Sequence, residues 1–248
     1  QRTVIYEKRR HALMGERIGM DIANLIWDRV TTFIERDDYQ GCKEHFLKVL
    51  AMECPFTELE FNTVKKEELI ERSYQKAMDS FNTKMERIRT QALPVIKRVY
   101  EEQGQIYERI IVPITDGKLP RPYAIPCNLK EAYDTECKSV VKQFEKVISL
   151  HIIDDCWKEN LRQLDELEHS VRNASYEQKD PLQIFKSESV KLWDDMIDDM
   201  NDRIASILTR GQIAMQEERV QEAAPEQRSQ RYQETKEGSD LTDENQKA

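Results

Sequence analysis

The sequence predicts an all-α, elongated fold, and three observations carry that expectation. Hydrophobic residues make up 39% of the 248 and charged residues 34%, with 7 Gly and 8 Pro, a balance that suits long solvated helices over a thick globular core. Apolar residues recur at three- and four-residue spacing along much of the chain. Finally, the run Asn173-Ala174-Ser175-Tyr176-Glu177-Gln178-Lys179-Asp180-Pro181 separates two long periodic stretches, so these fold back on each other as a helical hairpin.

The first segment runs from Thr3 to about Ile18 and carries Val4, Ile5, Leu13 and Met14 among many charges. Gly15 and Gly19 weaken it, and Asp21 is the expected cap of the next helix. That helix shows Ile22, Leu25, Ile26, Val30 and Phe33 on one face. From Asp37 to about Thr63 the pattern is mixed and assigns no element. A strong helix follows, with Ile70, Tyr74, Met78, Phe81, Met85 and Ile88 in one stripe. Pro94 is expected to end or kink it before the pattern resumes at Val95, Ile96, Val99, Ile106 and Tyr107.

Ile110 to Ile114 is a short β-like run ending in the turn signal Asp116-Gly117, and Pro120, Pro122 and Pro126 follow. One small hairpin is expected there, not a sheet. Asn128 with Glu131 reads as a capping box, after which Val140, Phe144, Val147, Ile153, Trp157, Leu161, Leu164, Leu167 and Val171 continue without a breaker. Uninterrupted, that helix would be about 65 Å long. The return helix has Asp180 as N-cap, Pro181 at its first position and Gln183 as capping-box partner. It carries Phe185, Leu192, Trp193, Met196, Met200, Ile204 and Ile207 and stops at Gly211. Beyond that the chain is Glu, Gln, Arg, Ser and Lys with few apolar residues, a composition expected to stay disordered as far as Ala248.

A net charge of −9 argues against nucleic acid as a ligand, since phosphate binding needs clustered Lys and Arg. Cys42, Cys54, Cys127, Cys137 and Cys156 are odd in number, widely spaced and without a C-x-x-C pair, which supports neither a zinc ribbon nor a disulfide framework and points to a reducing compartment. Asn173-Ala174-Ser175 matches a glycosylation sequon, which matters only in a secreted protein. No apolar run is long enough to span a bilayer. The amphipathic pattern is already under way by Val4, which leads to the expectation of a piece cut from a larger protein.

Catalytic signatures are scarce. No phosphate-cradling Gly-rich motif occurs. Glu166 and His169 have the spacing of a di-iron half-site, but that site class needs a second such pair and two more glutamates, so no metal is expected. Asp194, Asp195, Asp198 and Asp199 read as a solvated face opposite Trp193 and Met196. Trp157 reads as a packing anchor between the hairpin helices. Tyr176 stands out, because a turn offers little core to a large ring, and a phenol can press on almost any side chain while its hydroxyl bonds to backbone.

Trp157-Lys158-Glu159-Asn160-Leu161, Tyr176-Glu177-Gln178-Lys179-Asp180-Pro181 and Phe185-Lys186-Ser187-Glu188-Ser189 resemble the two-helix finger of the SecA family of bacterial preprotein-translocase ATPases, where the pattern reads W-K-E-H-L, R-G-Y-A-Q-K-D-P and Y-K-R-E-S/G. Gln1-Arg2-Thr3-Val4-Ile5-Tyr6 is similar to the Q-R-x-x-I-Y of the family's long scaffold helix. The matches bracket residues 1 to about 210 in order. Asn160 stands where the family has His, and Ala174-Ser175 where Arg-Gly is common, leaving Arg172 as the nearby cation.

The resemblance implies long scaffold helices, an inserted helical wing subdomain and a two-helix hairpin finger. Residues 1–22 would open the scaffold, 23–138 form the wing, 139–210 complete the scaffold and finger with its tip at 173–180, and 211–248 form the tail. It implies Tyr176 as the polypeptide-contacting tip, flanked by Arg172, Ser175, Glu177, Gln178 and Lys179 against the channel, with Trp157, Leu161, Phe185 and Trp193 packing the finger. The partners implied are the SecYEG channel, preproteins and the parent's own nucleotide-binding domains, with a homodimer possible and no nucleic acid. ATP and Mg would belong to those motor domains, whose motifs are absent from this sequence, so the chain itself would hold no cofactor and hydrolyse nothing. The finger region would also restrain ATP hydrolysis, and the protein would sit in the cytoplasm, peripherally on the inner membrane. The alternative reading is a cytosolic helical adaptor with no transport role.

Overall fold

The structure, a computed structural model, describes residues 1–15, 17–118, 120–173 and 180–214, without the side chains of Arg172 and Asn173. In order, the described elements are α1 (Arg2–Met14), α2 (Ile18–Arg36), α3 (Tyr39–Lys48), α4 (Glu58–Thr63), α5 (Lys66–Gln103), β1 (Arg109–Thr115), β2 (Tyr123–Asn128), α6 (Leu129–Asp134), α7 (Lys138–Asn173), α8 (Pro181–Arg210) and β3 (Gln212–Ile213). Most of the chain is helical, as the composition predicts. At 1.5 Å per residue α5, α7 and α8 are about 57, 54 and 45 Å long. One continuous apolar core joins Ile5 of α1, Ile26 and Phe33 of α2, Ile88 of α5, Phe144 and Ile148 of α7 and Met200 of α8.

The first helical segment is shorter than expected. It ends at Gly15, which takes a left-handed φ of 69° and bonds its N–H to the His11 carbonyl. Asp21 is not a cap; it lies in the first turn of α2, where its carboxylate faces the helix's positive end.

The stretch from Asp37 to Thr63, unassigned from the sequence, holds two capped helices. The Gly41 N–H donates to Asp38 Oδ1 at 2.8 Å to open α3. Thr57 and Glu60 exchange bonds in a complete capping box that opens α4. Phe46 meets Phe33 and Phe56 edge-on at 5.8 and 5.9 Å, giving these short helices a small aromatic core against α2.

Pro94 does not end α5, which runs through it to Gln103. Pro94 and Thr90, whose carbonyl loses its partner, both face solvent, so water can satisfy the freed group. The long helix expected from Asn128 onward is instead broken. Asn128 caps only the six-residue α6, accepting from the Glu131 N–H at 2.9 Å. Glu136 and Cys137 then take positive φ of 49° and 66°. The Cys137 N–H returns to the Ala132 carbonyl at 2.8 Å, a Schellman-type stop built without glycine. The Tyr100 and Tyr133 rings, stacked at 4.2 Å, and the fully buried Cys137 hold that turn against α5.

The expected single hairpin is a three-stranded antiparallel sheet in the order β2-β1-β3. Ile110 opposes Cys127 and Ile114 opposes Tyr123, while β3 sets Ile213 against Ile114. Gln212 and Ile213 therefore belong to the fold, which corrects the expectation of disorder from 211; the rest of the expected tail, from 215 on, lies outside the described residues. Ile110, Val112, Ile114, Ile125 and Cys127 alternate into the core. The Ala214 N–H bonds to the Pro113 carbonyl, so the backbone polar groups of odd-numbered β1 residues face β3. Pro126, opposite Ile111, then points its missing N–H at the outer edge, where a proline discourages pairing with another chain.

Candidate functional site

The hairpin of α7 and α8 is the candidate site, and its shaft can be built from the residues upward. Trp157 and Trp193 lie partly buried against the core, as packing anchors should. Met196, Met200 and Ile204 continue the seam in buried positions, and Val171 is buried close to the end of α7. Phe185 is half-buried. Leu161 departs from expectation: it is 44% exposed, on the outer face of α7, and does not pack the shaft. Its neighbour Asn160, 1% exposed, faces inward instead and donates from Nδ2 to the Leu192 carbonyl at 3.4 Å. The helical period explains the exchange, since adjacent residues point about 100° apart.

Polar contacts brace the root of the hairpin. Arg203 of α8 reaches Asp155 of α7 at 2.6 Å, and that bond holds the Asp155 carboxyl below its ordinary pKa. Cys156 lies 3.5 Å from Asp199, and burial pushes its thiol up to about 11. Arg9 of α1 grips Asp154 through two bonds of 2.7 and 3.2 Å, and Gln1 Nε2 donates to the Ser189 carbonyl at 3.3 Å. The scaffold-like first helix is thereby tied to both arms of the hairpin.

The return arm starts as the sequence implies, with Pro181 at the first helical position. The capping box expected with Gln183 is not formed: Asp180 Oδ1 accepts from the Leu182 N–H at 3.0 Å, while Gln183 gives its backbone N–H to the Asp180 carbonyl. Tyr176, Ser175, Glu177, Gln178 and Lys179 lie outside the described residues, as does the side chain of Arg172.

The acidic run on α8 is not simply a solvated face. Asp194 and Asp195 are exposed, but Asp198 accepts from Arg29 at 2.7 Å and from Arg36 at 3.1 Å, and Asp202 accepts from Arg29 at 3.3 Å. Arg29 is only 3% exposed. The sequence reading missed it, although the signal was present: Arg29 sits within the apolar stripe of Ile22, Ile26 and Phe33, where an arginine needs an acid partner. Glu166, the candidate metal ligand, pairs instead with Arg162. Among the described residues no group of three His, Cys, Asp or Glu side chains is placed to hold a metal ion.

α7 and α8 thus form a braced pair of helices, tied to each other and to α1. Residues 1–212 match the family model of the SecA wing and scaffold domain. The chain is 59% identical over 238 residues to a protein translocase subunit SecA of Bacteroides thetaiotaomicron, covering 92% of this chain and 21% of that protein. It is 57% identical to the corresponding subunit of Phocaeicola vulgatus over 100% of the chain and 22% of the relative, and 50% identical to that of Porphyromonas gingivalis over 90% and 20%. The chain thus spans about a fifth of the length of these relatives. On a family model covering most of its length and on identities of this size, the chain belongs to the SecA family, in the region of its wing and scaffold domain.

Proposed function

We propose that this chain is the scaffold, wing and finger portion of a SecA-type protein-translocation motor. Motor domains elsewhere in the parent would bind ATP and Mg and hydrolyse the nucleotide. The scaffold would carry their movement to the finger and restrain hydrolysis when no substrate is engaged. The finger would enter the cytoplasmic mouth of the SecYEG channel and push preproteins through it, with Tyr176 on the polypeptide and Arg172, Ser175, Glu177, Gln178 and Lys179 toward the channel. The chain itself then works without catalysis or cofactor, in the cytoplasm and peripherally at the inner membrane, as a monomer or homodimer. No described helix is long and apolar enough to cross a membrane.

The observation that carries this reading is the braced hairpin. α7 and α8 pack along their length and are tied at the root to α1, so a push at one end is transmitted as a rigid displacement. A rigid shaft with a sequence-tolerant aromatic at its turn suits a device that must move many different polypeptides. The test is to restore this chain to its full-length parent, replace Tyr176 by Ala and measure preprotein transport into SecYEG vesicles. A several-fold loss of transport with nucleotide hydrolysis retained supports the tip role; unchanged transport contradicts it.

A further inference from the structure

We propose that Arg29 is a positioning residue that sets the direction of the finger relative to the wing helices. Two anchors hold α8 to α2 and α3. The first is the Arg29 guanidinium of α2, which donates to Asp198 Oδ1 at 2.7 Å and to Asp202 Oδ1 at 3.3 Å, with Asp28 on its own helix at 2.7 Å. Asn201 of α8 completes the cluster by donating to Asp28 at 3.3 Å. The second lies at the end of α8, where Thr209, Ser206 and Arg210 donate to the carbonyls of Val49, Lys48 and Leu47 at 3.0, 3.3 and 2.7 Å.

Apolar packing alone would not fix this placement. Met196, Met200, Ile204 and Leu208 recur every four residues with similar volumes, so α8 could slide by one turn, about 5.4 Å, and still present an apolar row. The polar groups remove that freedom. A guanidinium buried to 3% exposure is tolerated only where acids reach it, and an α8 displaced by one turn in one direction would set Ser206 in place of Asp202, leaving Arg29 one acid fewer and pulling Ser206 and Arg210 off the second anchor. In the other direction Asp194 and Asp198 would replace Asp198 and Asp202, and there the second anchor breaks. Both anchors together admit one register. Their centres stand about 12 Å apart along α8, while the start of the helix at Pro181 lies about 26 Å beyond Asp198, so a rotation at the anchors is enlarged at that end. Movement of the wing helices therefore carries the finger with it.

The transport consequence rests on the function proposed above, whereas the geometry does not, and the experiment separates them. Genetically encoded spin labels at Leu59 of α4 and Val190 of α8, both exposed, report the wing-to-finger distance in the full-length protein with its cysteines intact. Wild type should give one narrow distribution. Arg29→Met should broaden or displace it by several Å, with Arg29→Lys in between, because a compact ammonium keeps the charge but lacks the rigid planar fork that sets the two acids in one geometry. Circular dichroism checks that each variant is folded. If Arg29→Met does not fold, the pair Asp198→Asn and Asp202→Asn strips the acids while leaving Arg29 in place and gives the same reading. An unchanged distribution in a folded variant of either kind overturns the proposal. In a transport assay Arg29→Met should lower the preprotein moved per ATP hydrolysed. A displaced finger with unchanged transport per ATP would keep the geometry and sink the pushing role of the finger.

Discussion

Asn160 Nδ2 and the Leu192 carbonyl, 3.4 Å apart, form a side-chain bridge from α7 to α8 at a point 1% exposed to solvent. The amide oxygen of the same side chain is buried without a partner. Such a site tolerates a neutral donor and penalises a charge.

Asn160→Asp should therefore destabilise the hairpin by about 2–3 kcal/mol at pH 7, the usual cost of burying an unpaired charge while the Leu192 carbonyl loses its donor. Burial would raise the pKa of the introduced carboxyl above its unfolded value. The stability should accordingly be retained below that unfolded value and lost as the pH rises. Denaturant titrations at about pH 3.5, below the ordinary Asp value, and at pH 7 check both the size and the sign.

Glu145 of α7 is a native example of the same physics. It is 7% exposed, and burial pushes its carboxyl up to about 7 from an ordinary 4.5, with Lys142 opposing. A raised folded pKa means its stabilising contribution is complete below about 4.5 and lost as the pH climbs through 7. Glu145→Gln should match wild type near pH 4.5 and exceed it above pH 8 by up to about 3 kcal/mol, each tenfold in proton affinity being about 1.4 kcal/mol. Denaturant midpoints across that range are the measurement.

Gly211 ends α8 for a reason the sequence suggested only in part. Its φ of −50° is not left-handed, so conformational freedom is not what requires glycine. A β-carbon there would stand 2.6 Å from Phe144 Cζ and 2.7 Å from Cε1. Gly211→Ala should cost about 1–3 kcal/mol through overpacking. The further change Phe144→Leu should recover part of that loss in thermal unfolding.

The five cysteines should differ in reactivity. Burial pushes the thiols of Cys42 and Cys127 up to about 12 and those of Cys137 and Cys156 up to about 11, and these four are buried. Cys54 is also raised but only half-buried. Alkylation of the native protein, followed by peptide mass spectrometry, should mark Cys54 first and the others only in denaturant, because the exposed thiolate is the nucleophile. Early labelling of Cys42 would contradict the packing of Phe33 and Phe46 around it.

The sequence declares its long helices because their apolar period is sustained, and the stripes through Ile26, Phe81 and Met200 all become core. It hides the stop at Glu136 and Cys137, since neither residue type announces a left-handed turn and only the packing of Tyr133 on Tyr100 imposes one. The capping signals at Asp38 and at Thr57 with Glu60 were readable, but the short helices they open lack enough turns to show a period. β3 has two residues and no pattern of its own; it exists because β1 offers an edge. Around the candidate site, Trp157 and Trp193 were legible as anchors, while the buried role of Arg29 depended on acids 169 and 173 residues away in the chain.

The claim that the hairpin turn touches moving polypeptide is tested most directly by photo-crosslinking. A benzophenone amino acid placed at Tyr176 in the full-length protein, with a preprotein stalled in SecYEG and ATP present, should yield adducts to the preprotein. The same group at Leu59, exposed on α4, should yield none. Adducts absent at Tyr176, or equal at both positions, would contradict the account.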